Sequence, residues 1–197
     1  MRILTSCFVA VLCGACGVSV PVHQLDDYQI VAKNDAFTTT LDKIAGTGKV
    51  LFSTPFGSLS SDKSYELQFR LEEGGVLRID SHANTDRSLG VDILLGRSGA
   101  LLTASLYKGS TETDITEALS SYDASSNMRM YIDVQNSQTP ARVLIWAVRS
   151  RESSEALLDT SAGVFSSPGR GEGLYWALEM SKASVTYARA SNASALK

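Results

Sequence analysis

Over much of the chain apolar and polar side chains alternate with a period of two. Tyr65, Leu67, Phe69 and Leu71 fall on one side, and Glu66, Gln68 and Arg70 on the other. That spacing predicts a half-buried strand over 64–71. Glu72-Glu73-Gly74-Gly75 has turn chemistry and predicts a hairpin loop. It leads into a strand over 76–81 that buries Leu77 and Ile79 and exposes Arg78 and Asp80. Residues 89–95 are more uniformly apolar, which predicts a strand covered on both faces. Gly96-Arg97-Ser98-Gly99 turns into a strand over 100–107. Met128, Met130, Ile132 and Val134 alternate with Arg129, Tyr131 and Asp133, and 142–148 reads as a central strand containing Trp146. Towards the end, Leu174, Trp176, Leu178 and Met180 alternate with Tyr175, Ala177 and Glu179. Val185, Tyr187 and Arg189 then alternate with Ser184, Thr186 and Ala188. Ser181-Lys182 between the two runs predicts a two-residue turn, and so a C-terminal hairpin over 174–190.

Two stretches carry helical spacing instead. Phe37, Leu41 and Ile44 lie at i, i+4 and i+7 between Asp35, an N-cap type, and Gly46, a C-cap type. Thr38-Thr39-Thr40 favours a strand, and the balance leans to helix. Asp114 and Glu117 have capping-box spacing, with Ile115, Leu119 and Tyr122 on one side of a short helix or turn. Residues 28–32 and 48–53 read as short strands. Residues 151–162 read as a linker with one helical turn, and 166–173 as a loop. Short strands at intervals of about ten residues, separated by Gly, Pro and Asn turns, indicate a β-sandwich or barrel.

The first twenty residues differ in kind. Arg2 is the only charge before Asp26, an apolar run covers Ile3 to Leu12, and small residues follow. This is the pattern of a secretory signal peptide over 1–15. It is shorter than the roughly 20 apolar residues a membrane-spanning helix needs. Leu12-Cys13-Gly14-Ala15-Cys16 resembles the bacterial lipobox, with Cys13 where Leu is usual. The resemblance implies lipidation (palmitate) of Cys16, a tether over 16–27, and a lipoprotein on the cell envelope. Gly17 in place of an Asp retention signal implies the outer membrane. Ordinary cleavage would instead leave a periplasmic or secreted protein. All three cysteines, Cys7, Cys13 and Cys16, lie in this stretch. A chain cleaved before Cys16 therefore has no disulfide and must fold on its apolar core.

The order of the strand segments carries a second resemblance. Tyr65-Glu66-Leu67-Gln68-Phe69 is followed by Gly74-Gly75-Val76-Leu77-Arg78-Ile79, then Val91-Asp92-Ile93-Leu94-Leu95 with Gly99-Ala100-Leu101-Leu102. Met130-Tyr131-Ile132-Asp133-Val134 and Val143-Leu144-Ile145-Trp146 complete the set. Together they resemble the bacterial pre-peptidase C-terminal domain, a small β-sandwich of exported proteins. The family places a Tyr near its penultimate strand, where Tyr131 fits, and an acidic cluster before its third, of which only Asp92 is present here. The expected architecture is all-β: a jelly-roll-like antiparallel β-sandwich with one or two short helices. It forms a single domain over 28–190, with its core in 48–149.

Composition narrows the function classes. The chain carries 18 Lys+Arg against 21 Asp+Glu, a formal net charge of −3 with no basic run, which argues against a nucleic-acid surface. Of the two histidines, His23 falls in the tether and His82 in Asp80-Ser81-His82-Ala83-Asn84-Thr85-Asp86. Asp80, Asn84 and Asp86 have the oxygen chemistry of Ca²⁺ ligands, although Asp and Asn also simply build polar turns. G-x-S-x-G is absent, and two distant histidines fall short of a zinc site unless carboxylates complete the ligand set. Tyr131 and Tyr175 lie on the polar sides of their strands and are the best candidates for aromatic ligand contacts. The leading reading is a non-enzymatic binding or assembly module that meets a protein or glycan partner. The alternative is an envelope-associated hydrolase of polysaccharide or peptide, which requires a cleft with two convergent carboxylates or His82 beside an acid.

Overall fold

A computed structural model describes residues 28–33, 38–40, 43–52, 63–83, 91–108, 111–135, 141–147, 155–163 and 175–192. The expected signal peptide over 1–15, Cys16 and the expected tether over 16–27 lie outside these residues. The described chain is almost entirely strand: β1 (Tyr28–Lys33), β2 (Thr38–Thr40), β3 (Lys43–Phe52), β4 (Lys63–Ala83), β5 (Val91–Ser98), β6 (Leu101–Lys108), β7 (Thr111–Asp114), β8 (Met128–Gln135), β9 (Ala141–Trp146), β10 (Leu158–Gly163) and β11 (Tyr175–Asn192). All named pairings are antiparallel.

The long strands β4 and β11 form the spine. They pair from Lys63–Asn192 at one end to Ala83–Tyr175 at the other. In the middle the register breaks: Leu71 opposes Ala183 and Val76 opposes Ser181, so Glu72, Glu73, Gly74 and Gly75 face only Lys182. β3 breaks at the same level, where Gly48 opposes Met180 and Gly46 opposes Ala183. Each strand has one residue in the left-handed region here: Gly46 (φ 106°), Gly74 (φ 67°) and Lys182 (φ 48°). The backbones also crowd, since a Cβ on Gly75 would lie 2.4 Å from the Lys182 carbonyl oxygen. Three adjacent strands thus bend along one line, as bulged strands do where they pass from one layer of a sandwich to the other.

The bend folds the sheet on itself. Before it, β4 pairs with β8, which continues to β9 and β10. After it, β4 pairs with β5, which continues to β6 and β7. Tyr65 and Ser81, one from each half of β4, meet with Oη and Oγ 2.6 Å apart. Leu67, Phe69, Ile79, Ile93, Met130, Ile132, Ile145 and Val185 are among the buried side chains of a single core shared by both layers. The fold is a jelly-roll-like antiparallel β-sandwich, as expected.

Several local expectations are corrected. Glu72–Gly75 and Ser181-Lys182 do not reverse the chain. They are bends within continuous strands, and 174–190 is not a self-paired hairpin. The Asp35–Gly46 helix is replaced by β2 and the start of β3, with Ile44 buried and Gly46 at the bend; the β-branched threonines outweigh the helical spacing. The short helix or turn expected around 114–122 is present as a 3₁₀ turn, Glu117–Leu119, with Asp114 accepting a hydrogen bond from the Thr116 N–H at 2.9 Å. Ile115 and Leu119 are buried as the spacing predicts. The 151–162 linker contains β10, which pairs with β9 and packs Leu157 and Leu158 on the core. β5 is not covered on both faces, since Val91, Ile93 and Leu95 are buried while Asp92 and Leu94 are half-buried. Asp80 is fully buried rather than exposed.

Candidate functional site

In the first layer the alternation sends Glu66, Gln68 and Arg70 of β4 away from the core, together with Arg129, Tyr131 and Asp133 of β8 and Trp146 of β9. Register aligns them. Trp146 opposes Tyr131, and Tyr131 opposes Glu66, so three neighbouring strands place one row across the outward face. The next row is Leu144, Asp133 and Ser64. Tyr131 and Trp146 are half-buried.

Charge on this face is held in place. Arg129 Nε donates to Glu66 Oε1 at 2.9 Å, and Nη2 contacts the same oxygen. The guanidinium carbon lies 5.2 Å from the centre of the Tyr131 ring, within cation–π range. Glu66 is 1% exposed while the Arg129 side chain is 52% exposed, so the arginine covers the carboxylate and meets solvent itself. The Glu66 contact holds the Arg129 guanidinium above its ordinary value. Beneath, Tyr122 Oη donates to the Arg129 carbonyl at 2.8 Å. Burial raises the Tyr122 hydroxyl above its ordinary value, and proximity to Tyr131 adds to this. Ser64 Oγ donates to Asp133 Oδ1 at 2.6 Å, and both residues are buried.

Two carboxylates therefore share this face diagonally on adjacent strands, at a Cα separation of about 7–8 Å. Both are engaged: Glu66 by Arg129, and Asp133 by Ser64. Half-buried aromatic rings beside fixed hydrogen-bonding groups suit a ligand that has both apolar faces and hydroxyls.

A concavity of about 400 Å³ lies along the bend, lined by Ala45, Gly46, Arg70, Glu72, Glu73, Arg97, Ala183 and Ser184. Glu73 and Arg97 brace it. Glu73 accepts from the Gly99 N–H at 3.1 Å, and Arg97 Nη1 donates to the Leu71 carbonyl at 2.9 Å.

Of the candidates read from the sequence, Tyr131 is at the centre of the outward row. Tyr175 is in β11, but its side chain is outside the described set, as are those of His82 and Trp176. Among the Ca²⁺ candidates only Asp80 falls within the described residues. It is buried in β4 opposite Asp92, and Arg78 Nε lies 3.5 Å from Asp92 Oδ2. Among the described residues, no group of three or more His, Cys, Asp or Glu is placed to hold a metal. Sequence reasoning missed the Arg129–Glu66 pair and the concavity at the bend. Both depend on strand register, and no local pattern announces it.

No protein-family model matches the chain, and no curated protein matches it. Solved structures do share its fold. A crystal structure described as a native glycosidic hydrolase superposes with a TM-score of 0.56 at 9% identity, covering 87% of this chain and 94% of that one. A prokaryotic β-1,3-1,4-glucanase (lichenase) derived from a mouse hindgut metagenome gives 0.52 at 9% identity, with 89% and 94% covered. A Bacillus licheniformis β-glucanase gives 0.50 at 10% identity, with 87% and 92% covered. At these identities the likeness establishes a common jelly-roll-like sandwich.

Proposed function

We propose that this chain is a glycan-binding β-sandwich, exported and held on the bacterial cell envelope through a lipid on Cys16. The observation that carries the binding reading is the outward row Trp146–Tyr131–Glu66 with Arg129 stacked on Tyr131. Arg129 lies over the Tyr131 ring, so the apolar contact offered to sugar C–H groups is the exposed part of the half-buried Tyr131 and Trp146. Arg129 donates to hydroxyls, and its guanidinium is already positioned by Glu66. That proteins sharing the fold are described as glucanases and a glycosidic hydrolase supports a carbohydrate ligand. The test is a glycan array probed with the folded domain and with Tyr131→Ala. Binding to a defined polysaccharide class, weakened about tenfold by the substitution, supports the reading. An array on which wild type and variant behave alike overturns it.

A hydrolase is the second reading; it would use the diagonal acids Glu66 and Asp133 on one face and would require their contacts with Arg129 and Ser64 to be exchanged for substrate. It predicts release of new reducing ends from the bound polysaccharide, abolished in Glu66→Gln. Binding without release supports the non-enzymatic reading.

A further inference from the structure

Arg70, which lines the concavity at the bend, lies on the same side of β4 as Glu66 of the Tyr131 row. Glu66, Gln68 and Arg70 succeed one another outward along β4, so Arg70 lies about 13 Å from Glu66 at an extended rise per residue. The floor is made of small residues: Ala45 and Gly46 from β3, Ala183 and Ser184 from β11. The walls are charged, and their charges differ in state. Arg97 and Glu73 are tied to each other and to backbone groups. Among the described residues Arg70 has no hydrogen-bond or ion-pair partner, and it directly opposes Ser184 in the β4–β11 register. It is exposed, and its planar fork is free to take a carboxylate in two parallel hydrogen bonds. The Ser184 hydroxyl stands beside it. Glu72, likewise without a partner among the described residues, is an acceptor for ligand hydroxyls.

Resting on the glycan-binding reading, we infer that the ligand is an acidic oligosaccharide. A neutral or acidic unit packs against Tyr131, Trp146 and Arg129, and a carboxylate-bearing unit further along the chain occupies the bend, held by Arg70 with Ser184. The separation between the two subsites requires an oligosaccharide rather than a single sugar. A cleft walled by charges and floored by small side chains selects against an apolar ligand.

The experiment is calorimetric titration of the folded domain with oligogalacturonate and with its methyl ester, which has the same skeleton without the charge. Wild type, Arg70→Gln, Ser184→Trp (which fills the cleft) and Tyr131→Ala are compared, with melting curves confirming that each is folded. The expected result is a preference of at least about tenfold for the acid, the scale of one charge-assisted contact. Arg70→Gln brings the acid down to the affinity of the ester, Ser184→Trp weakens both ligands because either must place a unit in the bend, and Tyr131→Ala also weakens both. Acid and ester binding equally, or a preference that survives Arg70→Gln, overturns the acidic-ligand inference and leaves the glycan reading standing. Binding of neither probe overturns the inference. If the glycan array is also silent, the glycan reading fails with it.

Discussion

Tyr65 and Ser81, sixteen positions apart on one strand, touch through their hydroxyls at 2.6 Å. A strand of that length left straight would separate them by roughly 50 Å. The contact is therefore a direct mark of the bend at Glu72–Gly75, and it ties the two layers of the sandwich together from inside the core. Burial pushes the Tyr65 hydroxyl well above its ordinary value of 10.0, partly offset by the Ser81 hydrogen bond.

Tyr65→Phe is expected to cost about 1 kcal/mol near pH 8, the net worth of a buried neutral hydrogen bond. The pH dependence has a definite sign. The folded-state value is raised, so above pH 10 the unfolded tyrosine ionises while the folded one keeps its proton. Stability then falls, by up to about 1.4 kcal/mol per pH unit. The phenylalanine variant lacks this contribution. Urea unfolding from pH 8 to 11.5 should show the wild-type advantage shrinking above pH 10. A constant gap contradicts the assignment.

The bend itself should be sensitive at Gly75 more than at Gly74. Gly74→Ala introduces a Cβ into open space and pays only for the positive φ, about 1–2 kcal/mol. Gly75→Ala drives its Cβ against the Lys182 carbonyl and requires the two strands to part. Thermal melting of both variants should rank Gly75→Ala clearly lower. The reverse order would contradict the close approach of β4 and β11.

The bend also marks how far the sequence was legible. The alternation at Tyr65–Leu71, Leu77–Ile79 and Met128–Val134 identified the inward side chains correctly, because the period of a strand is local. Glu72-Glu73-Gly74-Gly75 was readable as a break but not as its kind. A hairpin turn and a bulge want the same residues, and what separates them is the partner strand β11, about a hundred residues further along the chain. The site divides in the same way. Tyr131 could be placed on the polar side of its strand from its neighbours alone. That it shares a row with Trp146 and Glu66 is a matter of register, and the concavity around Arg70 needs four strands to exist at all.

The Glu66–Arg129 pair should behave as a buried carboxylate under a partly exposed cation. Arg129→Met leaves Glu66 uncovered in a low-dielectric setting. Its cost is expected at about 1–3 kcal/mol, discounted from fully buried pairs because Arg129 is 52% exposed. Adding Glu66→Gln should recover part of that loss, and a denaturant-based double-mutant cycle measures it. Additive losses would show that the pair is not coupled.

The proposed anchor predicts a mature chain beginning at Cys16 with acyl groups on it. Mass spectrometry of the membrane fraction should find that species in wild type. Cys16→Ala should release the protein in unacylated form. An unacylated wild-type chain starting elsewhere contradicts the anchor and leaves the binding face untouched.

The central claim is that the outward row of Trp146, Tyr131 and Glu66, with Arg129, is where a glycan is held. Its most direct test is calorimetric titration of the best array ligand into wild type, Tyr131→Ala and Trp146→Ala, each confirmed as folded. The account predicts saturable wild-type binding that each substitution weakens by about tenfold or more. Equal affinity in all three proteins would contradict it.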